Sequence, residues 1–156
     1  IETFKETVWY SNLFDLEATY TSKEDVNTIE YKAKVQLKNE AKEVVVETAS
    51  DFELNYICSV EKLEITVSTK QIIKEKTAFV LPIVSPEEEK VNQISANEIT
   101  IEKPKGTVKI TSNHGIKIKD IPKNRIFNMV PGVEVVPLIA KFKKFDTPLK
   151  ITIEVV

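Results

Sequence analysis

The stretch "NTIEYKAKVQLKN", residues 27–39, alternates apolar and polar side chains without a break. Its apolar positions are Ile29, Tyr31, Ala33, Val35 and Leu37, and charged or amide side chains fill the positions between them. Successive side chains of a β-strand point to opposite faces of the sheet. The pattern therefore predicts a strand with one dry face and one wet face.

The same period of two recurs along most of the chain. It is present in "LFDLEATY", "KLEITVSTK", "NEITIEK", "GTVKITS", "GIKIKDI" and "LKITIEVV". The segments "KPKG" and "SNHG" separate neighbouring runs and end in glycine, which is typical of turns. No stretch carries a capped apolar period of 3.6 residues. We therefore predict an all-β fold, an antiparallel β-sandwich of two packed sheets with roughly ten to thirteen strands and little or no helix.

The length of the chain predicts a single domain that spans residues 1–156. No window holds the roughly 18 uninterrupted apolar residues that a membrane-spanning helix needs, so we expect no membrane span. The chain starts at Ile1, already in a strand-like pattern, and stops at Val156 at the end of another. These two ends lead us to expect an excised or processed part of a larger protein.

The scarcity of cysteine and histidine excludes several kinds of chemistry. Cys58 is the only cysteine, so an internal disulfide is impossible, and its phase with Phe52 and Leu54 predicts a buried small apolar residue. His114 is the only histidine and lies in the turn "SNHG". Zinc sites need several such ligands, and three scattered glycines cannot build a phosphate loop. We therefore expect no metal, no cofactor and no catalytic activity in this chain.

The carboxylates are the remaining candidates for chemistry. All-β glycosidases use two of them on a concave face, but nearly all the acids here lie on the charged phase of a strand, beside lysines. This placement predicts solvated faces, so a two-carboxylate hydrolase is the last of our hypotheses. Glu134, among Val133, Val135 and Val136, is an exception. It either faces outward from a half-buried strand or is buried and paired with a lysine.

Charge is distributed unevenly along the chain. Residues 1–102 hold 11 basic and 20 acidic side chains, net −9, whereas residues 103–156 hold 11 basic and 4 acidic, net +7. The split indicates either a surface for anionic partners or strands from the two halves that lie side by side and cancel. The basic run "KFKKF", residues 141–145, is too short to indicate nucleic-acid binding, and we expect no nucleic-acid partner.

Trp9 and Tyr10 are the aromatic candidates for glycan contact. Adjacent residues of a strand face opposite ways, so one of the two side chains belongs to the core and the other to the outside. An exposed aromatic ring on a β-sandwich is a platform for a sugar ring. The alternative places Trp9 in the core and Tyr10 at its rim.

The stretch "NRIFNMVPGVEVVPLIAKF", residues 124–142, departs from alternation. Pro131 and Gly132 predict a turn. Residues 133–142 then predict a strand buried on both faces for part of its length. Pro137 cannot donate a ladder hydrogen bond, which predicts an edge strand or a bulge there.

The last 60 or so residues resemble the C-terminal β-sandwich region of heparinase II/III-like polysaccharide lyases of the Bacteroidetes type. The resemblance rests mainly on "FNMVPGVEVVPL", residues 127–138. Such lyases join a helical toroid to β-sheet domains and take their catalytic tyrosine and histidine from the toroid and the central sheet domain. This chain has no helical pattern, so the resemblance implies an accessory module or a fragment rather than an active lyase, and it transfers no catalytic residue.

The leading hypothesis is a non-catalytic β-sandwich domain of a secreted or periplasmic polysaccharide-processing protein. Its partners would be an acidic polysaccharide or the other domains of the parent protein, and its location periplasmic or extracellular. The predicted ligand-contact residues are Trp9, Tyr10, Lys141, Lys143 and Lys144. The alternative is an Ig-like or adhesin-type interaction domain of a surface protein.

Overall fold

The computed structural model describes residues 1–4, 8–11, 19–25, 27–46, 48–119, 133–142 and 147–156. These residues form thirteen strands and no helix, which confirms the predicted all-β class. The strands are β1 (Glu2–Phe4), β2 (Val8–Ser11), β3 (Thr19–Glu24), β4 (Thr28–Lys38), β5 (Asp51–Ser59), β6 (Lys62–Ser68), β7 (Lys76–Val84), β8 (Val91–Ser95), β9 (Glu98–Lys103), β10 (Gly106–Ser112), β11 (Lys117–Ile118), β12 (Val135–Lys141) and β13 (Leu149–Val155). Within these ranges, no helix is long and apolar enough to cross a membrane.

The strands form one continuous antiparallel sheet with two arms. The order is β11-β12-β7-β1-β2-β4-β5-β6-β13-β10-β9-β8, and β3 pairs with β4 outside this path. Strand β4 links the arms, because its last two residues pair with β2 and its earlier residues pair with β3 and β5. We call the strands from β11 to β2 the first arm and those from β5 to β8 the second arm.

Both arms contribute to a single hydrophobic core. Phe79 and Leu138 from the first arm belong to the same buried cluster as Ile65, Ile110 and Ile151 from the second arm. The three isoleucines of the second arm are apolar positions of alternating runs, so there the period of two selects the buried face. Burying each of these large side chains contributes about 1.5–3 kcal/mol.

The two ends of the long sheet meet, so the sheet nearly closes on itself. The backbone N–H of Ile116, just before β11, donates to the carbonyl of Ala96 in the β8–β9 turn at 2.9 Å. The side-chain amide of Gln93 in β8 donates to the carbonyl of Ile116 at 3.0 Å. We call this junction of the segments 93–96 and 114–117 the seam.

Strand β12 is buried on both faces, as its sequence predicted. All its residues except Pro137 and Lys141 are buried. The prediction of an edge strand or a bulge at Pro137 was wrong, because β12 lies between β11 and β7. Pro137 lies opposite Pro82. Hydrogen-bonded and non-hydrogen-bonded residue pairs alternate along an antiparallel ladder. The pairs Ser85–Glu134 and Phe142–Thr77 are hydrogen-bonded, so the proline pair is a non-hydrogen-bonded one. Neither proline therefore removes a bond from the β7–β12 ladder.

Two further predictions from the same sequence stretches have different outcomes. The turn predicted at Pro131 and Gly132 lies outside the described residues. Cys58, predicted to be a buried small apolar residue, is only partly buried. Its cross-strand neighbours Ile29 and Leu63 are themselves only half buried.

Candidate functional site

The structure describes two of the five predicted ligand-contact side chains. Lys141 ends β12 and is exposed, and Tyr10 in β2 is half buried. Trp9 pairs with Thr3 through the backbone, but its side chain is outside the described part. Lys143 and Lys144 are outside it as well.

Lys141 and Tyr10 lie in one row across the first arm. The register pairs Lys141 with Ala78, Ala78 with Glu2, Glu2 with Tyr10, and Tyr10 with Lys38. Neighbouring strands are about 4.8 Å apart, so three strand spacings separate Lys141 from Tyr10 by roughly 14 Å. The two residues share a face of the sheet but not a single contact site.

Lys141 lines a cleft of about 450 Å³ at the seam. The other lining residues come from the segments 93–96 and 114–117 and from Ile139, and they include His114 and Lys117. We call this space the seam cleft. It exists only because the sheet brings together segments that are far apart in the chain.

Hydrogen bonds of Gln93 and the close approach of Gly115 to Ala96 fix the position of the segments that line the seam cleft. Gln93 donates its side-chain amide to the carbonyls of Ser95 and Ile116 and so ties β8 to the start of β11. Gly115 has φ +89°, and a Cβ added there would lie 3.2 Å from the carbonyl oxygen of Ala96. Glycine is therefore required where the two turns approach each other.

The seam cleft is electropositive. Lys117 and Lys141 are both exposed at its wall, and its lining residues, all of them in the described part, include no carboxylate. Glu2 is the nearest acid along the strand register, two strand spacings or roughly 10 Å from Lys141. Two cations in a lining that has no carboxylate among the described residues suit an anionic ligand.

A second cavity, of about 440 Å³, lies at β4, β5 and the segment 68–71. Its lining mixes the cations Lys34 and Lys70 with the acids Asp51 and Glu53. Both carboxylate oxygens of Asp51 already accept amide hydrogen bonds, from Gln36 at 2.9 Å and from Gln71 at 3.0 Å. The mixed charge gives this cavity no preference for an anion.

Glu134 anchors a loop. Its carboxylate accepts a hydrogen bond from the backbone N–H of Glu87 at 2.9 Å, and its carbonyl accepts one from Ser85. The side chain is half buried. It therefore binds the backbone of the segment 85–90, a partner that the sequence did not predict.

Several acids of the described strands lie beside lysines, as the alternation predicted. Lys109 and Glu154 form a cross-strand ion pair between β10 and β13. Hydrogen bonds from Asn55 and then from Lys32 lower the pKa of the Glu30 carboxyl. A catalytic general acid needs the opposite shift. Among the described residues, no group of three or more His, Cys, Asp or Glu side chains could hold a metal ion.

Comparison with known proteins adds to this geometry. A model of the ulvan lyase C-terminal domain matches residues 1–156. A broad-specificity ulvan lyase of Formosa agariphila is 47% identical over 156 residues, which are all of this chain and 24% of that protein. The chain thus spans about a quarter of the length of this relative.

The fold and these matches define a C-terminal β-domain of the polysaccharide-lyase class. The chain belongs to the ulvan lyase C-terminal domain family. The resemblance found in the sequence led to the right general class, since it predicted the C-terminal β-region of a polysaccharide lyase. The comparisons do not support its assignment to heparinase II/III.

Sequence reasoning missed two residues of the seam cleft. Lys117 occupies a polar position of the alternating run "GIKIKDI", as the other strand lysines do in their runs. Gln93 belongs to a short strand in which apolar and polar residues alternate only weakly. No local signal marks either residue. Their relation to Lys141 depends on pairing between distant strands.

Proposed function

We propose that this chain is a non-catalytic domain of a periplasmic or extracellular polysaccharide lyase, and that it contacts the acidic glycan. The family match over the whole chain supports the association with a lyase. The relative is about four times longer, which leaves most of its length for the catalytic machinery. The observation that carries glycan contact is the convergence of Lys117 and Lys141 on one cleft without a carboxylate.

Binding of the 156-residue chain to ulvan, the substrate named for the relative, tests this proposal. We expect retardation of the chain in a native gel that contains ulvan at low salt. The retardation should fade as salt rises, because the Debye length falls from about 10 Å at 0.1 M to about 3 Å at 1 M. A chain that migrates unchanged at low salt and millimolar protein would exclude glycan contact and leave support of the neighbouring domains as its role.

Variants separate the predicted contact residues. Replacing Lys141, Lys143 and Lys144 together with Ala should weaken binding and flatten its salt dependence. Replacing Tyr10 with Ala should weaken binding at high salt as well, if its ring stacks on a sugar, because stacking is not screened by ions. Trp9→Phe tests the other aromatic candidate in the same way.

Turnover tests the non-catalytic part of the proposal. The isolated chain, incubated with ulvan, should release no new chain ends above a buffer control. Release that disappears when a single carboxylate is replaced would establish catalysis and overturn this part.

A further inference from the structure

We infer that the seam cleft holds one oxyanion group, a sulfate ester or a carboxylate, of an acidic polysaccharide chain. The inference rests on the proposed function and adds the position and the chemistry of one subsite. Lys117 and Lys141 supply the positive charge, and the backbone of the seam holds them in place.

The strand register brings the two lysines within reach of one group. Lys117 pairs with Ile139, and Lys141 follows Ile139 by two residues on the same face of β12. This diagonal relation across neighbouring antiparallel strands sets the side-chain origins about 7–8 Å apart. A lysine side chain is long enough for both ammonium groups to converge on a single oxyanion over Ile139.

Charge favours an anion over a neutral sugar. No carboxylate of the described residues pairs with Lys117 or Lys141, whereas Lys62, Lys103 and Lys109 all have acidic partners. Two like charges at this spacing repel each other, and an oxyanion between them removes the repulsion. Sulfate and carboxylate groups also accept hydrogen bonds from ammonium donors in short, strong geometry.

The seam keeps the space between the lysines open. Gly115 has no side chain to fill the cleft, and a Cβ added there would crowd the carbonyl oxygen of Ala96. Ile139 is buried and forms an apolar wall, which suits the carbon face of a sugar ring beside its charged group. The arrangement therefore fits an oxyanion that is attached to a ring.

The test uses the 156-residue chain and three probe polymers. Dextran sulfate carries sulfate without carboxylate, polygalacturonate carries carboxylate without sulfate, and plain dextran carries neither. Binding to either charged polymer, with none to plain dextran, is the expected result. The charged polymer with the higher affinity shows whether the cleft prefers a sulfate or a carboxylate. Equal binding to plain dextran would overturn the charge argument.

Variants locate the subsite. Lys117→Ala and Lys141→Ala should each weaken binding about fivefold, and the double variant about 20-fold, since each removes one partly exposed ionic contact. The matched control is Lys105→Ala in the β9–β10 turn, which removes the same charge about 20 Å along the hairpin from the seam. Lys70→Ala is the control for the second cavity. Both controls should bind within twofold of the parent chain.

The outcomes distinguish the inference from the proposed function. A parent chain that binds ulvan but neither charged probe polymer refutes the oxyanion subsite and keeps glycan contact. One that binds neither ulvan nor the probe polymers refutes both. A parent chain that binds while the Lys117/Lys141 double variant is unchanged keeps glycan contact and refutes the seam cleft as its place. If Lys105→Ala loses as much affinity as Lys117→Ala or Lys141→Ala, the seam cleft is also refuted as the binding site, because net charge alone would then explain binding. Matching circular dichroism spectra and melting temperatures should show that every variant is folded.

Discussion

Substituting Gly115 tests whether the seam contributes to stability. The residue has φ +89°, in the region that side-chain-bearing residues rarely adopt, and an added Cβ would lie 3.2 Å from the carbonyl oxygen of Ala96. That oxygen accepts the Ile116 N–H bond that joins the two ends of the sheet. Gly115→Ala therefore strains the turn and crowds the junction at once.

The expected cost follows from three contributions. A left-handed backbone conformation costs an L-residue about 1–2 kcal/mol. Alanine has less conformational freedom than glycine in the unfolded chain, which offsets this cost by about 0.4–1 kcal/mol in the free energy of unfolding. The crowded contact adds a further few tenths, because neighbouring backbone must shift. The sum is a loss of roughly 0.3–2 kcal/mol, which for a chain of this length lowers the melting temperature by about 1–8 °C.

Urea denaturation, monitored by circular dichroism, measures this loss. Gly115→Asn is the matched control, because asparagine also adds a Cβ but tolerates positive φ better than alanine. We expect the free energy of unfolding to fall in the order Gly, Asn, Ala. Equal stability of all three proteins would refute the requirement for glycine. Equal loss for Asn and Ala would show that the contact with Ala96, rather than the backbone conformation, sets the cost.

Three further predictions follow from the core, an ion pair and a carboxyl group. Ile110→Ala, at a fully buried position, should lower the free energy of unfolding by about 2–5 kcal/mol in urea denaturation, and a loss below 1 kcal/mol would contradict its central place in the core. Lys103→Met removes the ammonium group that binds Glu89 and the end of β7, and should cost about 1–2 kcal/mol in the same assay; an unchanged midpoint would show that this pair is neutral. Because its native pKa lies below 4.5, the Glu30 carboxylate stabilises the fold above that pH, and this contribution is lost as pH falls through the native pKa. In an NMR titration, Asn55→Ala should return the pKa of Glu30 toward 4.5, and an unmoved titration curve would exclude Asn55 as its main cause.

Alternation predicted the strands because the buried and wet faces are local properties of the chain. The run at 27–39 became β4, and the runs that contain Ile65, Ile99, Ile110 and Ile151 became β6, β9, β10 and β13. In each run the predicted inner face supplies core residues. A period of two is sufficient to predict such a strand, since its side chains are buried on one face and exposed to solvent on the other.

The order of the strands and the position of the cleft were not predictable in this way. The seam cleft takes Gln93, Lys117 and Lys141 from segments about 24 residues apart along the chain, and nothing local ties one to another. Lys141 was predicted as a contact residue from the run "KFKKF", and the structure places it in the same cleft as Lys117 of the neighbouring strand. Pairing between strands that are distant in the sequence decides which lysines lie close together, and this pairing cannot be predicted from a single sequence.

The uneven charge along the chain fits both alternatives in different places. Strands of the basic part lie beside strands of the acidic part, as β12 does beside β7 and β13 beside β6. The ion pair of Lys103 with Glu89 joins the two parts directly. At the seam cleft, however, Lys117 and Lys141 both come from the basic part, and the lining residues include no acid. Charge cancellation between neighbouring strands and a local cluster of two lysines thus coexist in one sheet.

Because the seam cleft forms only when the two ends of the sheet meet, its ligand binds the folded chain and not the unfolded one. Binding must then stabilise the fold, by about 2.7 kcal/mol at a ligand concentration 100 times the dissociation constant. For a chain of this length the melting temperature should rise by roughly 5–10 °C. The charged polymer that binds best should produce this rise in the parent chain and in Lys105→Ala. The Lys117/Lys141 double variant should show little of it. A rise of equal size in the double variant would mean that the polymer stabilises the fold from another surface, and the link between sheet closure and the anion site would then fail.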